Sequence, residues 1–224
     1  MTAATLRADD DAQRRLEAVP RPRPLLTRQR ERQLTDRQRE ILDDLEALVA
    51  SGFAELTMAD LASRLSCSLR TLYALAPSRD ELVLLVVDRS LWRIGRAARD
   101  AIAGDLAPLD AIRAYLEAAN VAVSGWSPAF ARDLAAVPAA QQLEDAHNEY
   151  LFAVTRTLLD LAVERGEVRP VDTAAVARVL AGLGRFFSRP EVIATLRSSP
   201  KAAADEVVDL LLGGLRTLTP NGAP

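Results

Sequence analysis

The stretch TMADLASRLSCSLRTLYALAPS, residues 57–78, decides how this chain is read. Met58, Leu61, Ala62 and Leu65 recur at helical spacing after Thr57, so the Thr57 hydroxyl stands where it can cap free amides at a helix start. Asp60 follows three residues later and can bond back to the Thr57 amide, a capping box with Asp in place of the usual Glu. Ser66-Cys67 makes a short turn, and Ser68 then caps a second, very short helix holding Leu69, Arg70, Thr71, Leu72 and Tyr73. Leu72 can point inward while Leu69, Arg70, Thr71 and Tyr73 stay available to a partner, and Pro77-Ser78 ends the unit. Two short helices around a tight turn, the second with polar side chains outward, form a helix-turn-helix.

Upstream, Thr35 or Asp36 caps a helix carrying Ile41, Leu42, Leu45, Leu48 and Val49, which stops at Gly52. Residues 1–34 read as a flexible, arginine-rich arm. Pro20, Pro22 and Pro24 alternate with Arg21 and Arg23, and alternating prolines favour an extended backbone. Such an arm either follows phosphates and reaches a minor groove or is simply a solvated terminus, and both readings stand. Downstream, a long helix spans about 79–103. Breaks at Pro108, Gly125, Pro138, Gly166, Pro190 and Pro200 then separate helices near 109–124, 128–136, 139–165, 173–188 and 201–218. The expectation is an all-α protein of about nine helices: the arm, a three-helix DNA-binding unit at 35–82, and a helical ligand-binding and dimerisation unit at 83–224.

Composition agrees. Hydrophobic residues are 49% of the chain and aromatics only 4%, without β-rich runs, which argues for helices and against disorder. Cys67 is the single cysteine, so no internal disulfide forms, as suits a reducing compartment. Residues 1–24 hold no apolar signal stretch and apolar runs such as 82–87 are too short to cross a bilayer, so a cytoplasmic protein without a membrane partner is expected. The net charge of −3 conceals an asymmetry: residues 20–99 balance at +3, residues 100–224 at −5. Only the first half is suited to a polyanion.

Ile41-Leu42, Gly52-Phe53, Thr57, Leu61-Ala62, Ser68, Thr71-Leu72-Tyr73 and the run from Pro77 to Leu82 together resemble the DNA-binding unit of TetR-family transcriptional regulators. Ser66 stands where that family usually has glycine, Leu75-Ala76 replaces a usual His-Phe, and Arg79 replaces a common lysine. The resemblance implies a dimeric repressor released from a palindromic operator by a small-molecule effector, with Tyr73, Thr57 and Arg79 on phosphates. Thr57, Ser68, Leu69, Arg70, Thr71, Tyr73 and Arg79 form the candidate set for double-stranded DNA. Arg70 can bond guanine in bidentate fashion, and Leu69 and Thr71 can meet thymine methyls. The plain alternatives are a solvated Arg70, a Thr57 that only caps, and a half-buried Tyr73.

In the second half, Gly182, Gly184, Gly213 and Gly214 lie inside expected helices, where close helix approach compensates their cost. Val176, Val179, Leu180 and Leu183, with Val207, Leu211 and Leu215, are the candidate homodimer surface; an ordinary core is the alternative. Tyr115, Trp126, His147 and Tyr150 are the candidate pocket residues, core packing being the alternative for each. With one histidine, one cysteine and no glycine-rich phosphate loop, the sequence points to no enzyme, metal or cofactor. The rival function is a ligand-independent helical DNA-binding or protein-interaction dimer.

Overall fold

The computed structural model describes residues 3–102, 106–123 and 127–216, and these are helical apart from loops and an isolated bridge between Val168 and Arg216. Twelve α-helices are present among the described residues: α1 (Ala3–Ala18), α2 (Arg28–Gln33), α3 (Asp36–Val49), α4 (Met58–Arg64), α5 (Leu69–Leu75), α6 (Arg79–Asp100), α7 (Pro108–Ala119), α8 (Pro128–Ala135), α9 (Pro138–Glu164), α10 (Thr173–Phe187), α11 (Pro190–Ile193) and α12 (Pro200–Leu215). The helices beyond the nine expected are α1, α2 and the single turn α11. Local chemistry explains the starts. Thr27, Thr35, Thr57, Ser68, Ser78, Ser127, Asp172 and Ser199 each accept an amide of the first turn, and α7, α8, α9, α11 and α12 open on proline.

Two cores result. The first gathers Ile41, Leu45, Leu61, Leu72, Leu82 and Phe130 from α3 to α6 and α8. The second gathers Ile112, Tyr115, Leu159, Leu180 and Leu212 from α7, α9, α10 and α12. α6 serves both, with residues 82–87 in the first core and Ala98 in the second. The division expected at residue 82 therefore falls inside one continuous helix, and α8 with the start of α9 packs into the first core.

The first 34 residues differ from the expected extended arm. Leu16 and Val19, at the end of α1, are buried in the second core, and Arg15 reaches Glu164 at 2.8 Å. Leu26 and Leu34 are buried in the first core, and the Leu25 amide donates to Asp88 at 2.8 Å. The proline-alternating stretch lies between α1 and α2 and has no regular structure. Four well-spaced apolar residues outweigh a polar composition because each gains roughly 1.5–3 kcal/mol by burial.

The turn between α4 and α5 is built on Ser66 at φ +50°. The Cys67 amide donates to the Ala62 carbonyl at 2.9 Å and the Ser66 amide to Ser63 at 3.2 Å, which closes the end of α4. A left-handed serine is strained where glycine is not. Ser66→Gly is expected to stabilise the chain by about 0.5–1 kcal/mol, read as a higher urea midpoint. A lower midpoint would mean the serine contributes something beyond the turn.

Candidate nucleic-acid interface and internal cavity

Thr57 caps α4 as its position requires: its hydroxyl accepts the Asp60 amide at 3.2 Å, and the Asp60 carboxylate accepts the Thr57 amide at 2.9 Å. Those bonds from Thr57 hold the Asp60 carboxyl below the usual carboxylate range. Ser68 caps α5 through the Thr71 amide at 3.1 Å, and its hydroxyl pairs with that of Thr71 at 2.8 Å. Leu72 and Leu75 turn α5 into the first core. The opposite face presents Leu69, 43% exposed, Tyr73, 54% exposed, and an exposed Arg70. Among the described residues the Arg70 guanidinium has no hydrogen-bond or ion-pair partner.

Three arginines brace this unit from behind. Arg30 of α2 donates to the Leu75 carbonyl at 2.9 Å, at the end of α5. Arg37 of α3 donates to the Leu65 carbonyl at 3.1 Å, at the end of α4. Arg79 donates to the Ala54 and Leu56 carbonyls at 2.8 and 3.2 Å, pairs with Asp80, and lies 5.8 Å from the Phe53 ring centre. Arg79, expected on a phosphate, thus spends its donors on its own chain. Sequence reading missed this bracing, because an arginine bound to carbonyls leaves no spacing signal.

The loop that Arg79 grips is held from the other side by α8. Asp133 accepts the Phe53 and Ala54 amides through one oxygen, at 2.6 and 2.8 Å. Phe130 packs edge-on to Phe53 at 5.6 Å, and the Ser127 amide donates to Ala50 at 3.0 Å. Gly52 at φ +119° sits against α8 so closely that a Cβ would lie 3.2 Å from Ala129 Cβ and from the Asp133 carboxylate.

Between the two cores lies a cavity of about 220 Å³ walled by α6, α7, α9 and α10. Tyr115, His147 and Tyr150 line it as expected. Trp126 lies outside the described residues. Burial pushes the Tyr115 phenol well above the ordinary tyrosine value. His147 Nε2 is 3.1 Å from a buried Asp88 oxygen, whose other oxygen takes the Leu25 amide. The cavity wall and the anchored N-terminal segment therefore share one carboxylate. Glu144, Asn148 and Leu151 also line the space, and their spacing with His147 on α9 was the available signal for them.

Of the expected dimer residues, Leu180, Leu183 and Leu215 are buried in the chain's own core, and Val176 and Val207 pack against it. Val179 and Leu211 face outward, joined by Phe186 and Leu210. At 100° per residue, 176, 180 and 183 form one stripe and 175, 179, 182 and 186 the next, and because neither stripe holds a polar residue the helix offers both.

No protein-family model and no curated protein matches this sequence. Solved structures do. The TetR family transcriptional regulator PfmR from Thermus thermophilus is 24% identical, with a TM-score of 0.54 over 79% of this chain and 99% of its own. A regulatory protein of the tetR family from Rhodococcus RHA1 is 20% identical, with a TM-score of 0.61 over 82% of this chain and 98% of its own. The ketosteroid transcriptional regulator KstR2 of Mycobacterium tuberculosis is 20% identical, with a TM-score of 0.55 over 82% and 97%. This chain has the fold of the TetR-family transcriptional regulators.

Proposed function

We propose that this chain is a homodimeric, sequence-specific DNA-binding transcriptional regulator, a cytoplasmic repressor rather than an enzyme, that leaves a palindromic operator when a small molecule fills the cavity. The observation that carries the proposal is the outward face of α5. Leu69, Arg70 and Tyr73 are exposed there, and Arg70 has no hydrogen-bond or ion-pair partner among the described residues, on a helix braced at its far end by Arg30 and capped by Ser68. A convex helix face of this kind enters the major groove, where Arg70 reads base edges and Tyr73 and Thr57 hold phosphates. Arg79 acts behind the interface, positioning the loop that precedes α4. The outward stripe of Val179, Phe186, Leu210 and Leu211 supports a twofold contact through α10 and α12, which sets two α5 helices against successive half-sites. The cavity supports effector control. A ligand that favours one separation of the two α5 helices changes DNA affinity, and DNA changes ligand affinity equally.

The test is retention from a pool of random duplexes at moderate salt, followed by sequencing. A palindrome is expected. Salt-sensitive retention without enrichment would reduce the protein to charge contacts, and no retention would sink the proposal. On the selected site, Arg70→Ala is expected to cost about 1–3 kcal/mol and to relax preference at the base pairs it reads. Unchanged preference would remove Arg70 as the reader.

A further inference from the structure

We infer that the cavity is built for a compact, mostly apolar molecule carrying one protonated amine, which seats against the carboxylate of Glu144. The inference rests on effector control by this cavity and names the ligand's chemistry.

The walls are largely hydrocarbon and aromatic, with Leu91, Ile94 and Ala98 of α6 facing Tyr115, Tyr150 and Leu151. The volume of about 220 Å³ is below the roughly 300–1,000 Å³ of pockets for drug-sized ligands, so the occupant is small. The polar wall groups divide into two sets. Arg185 is ion-paired with Asp145, the His147 ring is within hydrogen-bond distance of Asp88, Arg99 donates to the Tyr150 hydroxyl, and Asn120 donates to Asp205 at 2.8 Å. Glu144 has no hydrogen-bond or ion-pair partner among the described residues, and neither do the Tyr115 hydroxyl and the Asn148 amide.

The unmet demand of the cavity is therefore for positive charge. A half-buried carboxylate without a cation is costly, and a ligand ammonium that pairs with it removes that cost. Burial raises the Glu144 carboxyl above the usual carboxylate value, and the neighbouring Arg185, already neutralised by Asp145, does not offset it. Aromatic walls also favour a cation over a neutral group. A carboxylate ligand would meet the opposite situation, because the one arginine lining the cavity is already paired.

The test uses the 224-residue chain and three probes of one skeleton, 2-phenylethylamine, 2-phenylethanol and phenylacetate, titrated by calorimetry. The amine is expected to bind about tenfold more tightly than the alcohol, with phenylacetate the weakest. Glu144→Gln should bring the amine to within about twofold of the alcohol while leaving the alcohol unchanged. Equal or tighter binding of the alcohol or phenylacetate by the wild-type protein overturns the assignment, as does absence of saturable amine binding or an undiminished amine preference in E144Q. Operator affinity is measured separately with each probe. Phenylacetate binding that releases DNA overturns the amine assignment and leaves effector control standing, whereas amine binding that leaves DNA affinity unchanged does the reverse.

Discussion

Asp133→Ala is expected to destabilise the chain by about 2–4 kcal/mol and to uncouple ligand binding from DNA binding. One carboxylate oxygen of Asp133 takes two amides, those of Phe53 and Ala54. Bonds of an amide to a charged acceptor contribute roughly 1.5–3 kcal/mol each, discounted here because the Ala54 amide is exposed. The position also joins the two cores. Ser127 and Pro128, at the start of α8, line the cavity, and Asp133 in the second turn of that helix holds the loop whose carbonyls bind Arg79. In the proposed effector control, a shift of α8 would reach the loop immediately before α4. The stability loss is read from the urea midpoint. The coupling is read from the ratio of operator affinities with and without ligand, below the temperature at which the variant unfolds. Asp133→Asn keeps an acceptor oxygen without the charge and is expected to fall between wild type and D133A. A D133A protein with wild-type stability and an intact ligand response would show that Gly52 and Phe130 alone hold the junction.

The helix-turn-helix of α4 and α5 is legible in the sequence because its signals are local. Thr57 with Asp60 and Ser68 with Thr71 are pairs three residues apart, and each caps its helix as expected, while Leu72 takes its inward place from the helical period that those caps set. Asp133 carries no such signal. Its partners lie about eighty residues away, so an aspartate on α8 looks like any solvated acid until the chain is folded. Arg79 shows the converse: its charge suggests a phosphate contact, yet the loop carbonyls lie closer and take its donors. The N-terminal segment departs from expectation for a third reason. Leu16, Val19, Leu26 and Leu34 are too sparse to set a period, and their burial depends on cores assembled much later in the chain. Glu144 is legible only as a member of a stripe, since spacing cannot show whether a carboxylate on a cavity wall already has a partner.

The proposed dimer surface allows the sharpest separation of sequence from structure, because two adjacent residues of α10 predict opposite failures. Val179→Arg is expected to leave the monomer folded and to raise the dimer dissociation constant by about 10²–10³-fold. Val179 is 54% exposed in the isolated chain, so an arginine there meets water and changes stability by less than about 0.5 kcal/mol. In a twofold contact through α10 and α12 the same arginine faces its symmetry mate among Phe186, Leu210 and Leu211, and burying the two uncompensated charges costs roughly 3–5 kcal/mol in all. Operator affinity should fall with the dimer, since a lone α5 grips one half-site and loses the second. Leu180→Arg, one residue on, places the charge in the chain's own core, where Leu180 is fully buried against α9 and α12, and is expected to unfold the protein. Sedimentation velocity separates the cases: a folded monomer for V179R, loss of cooperative unfolding for L180R. A V179R protein that remains a dimer at wild-type concentrations would place the partner on another surface and leave the outward apolar stripe of α10 to a different use.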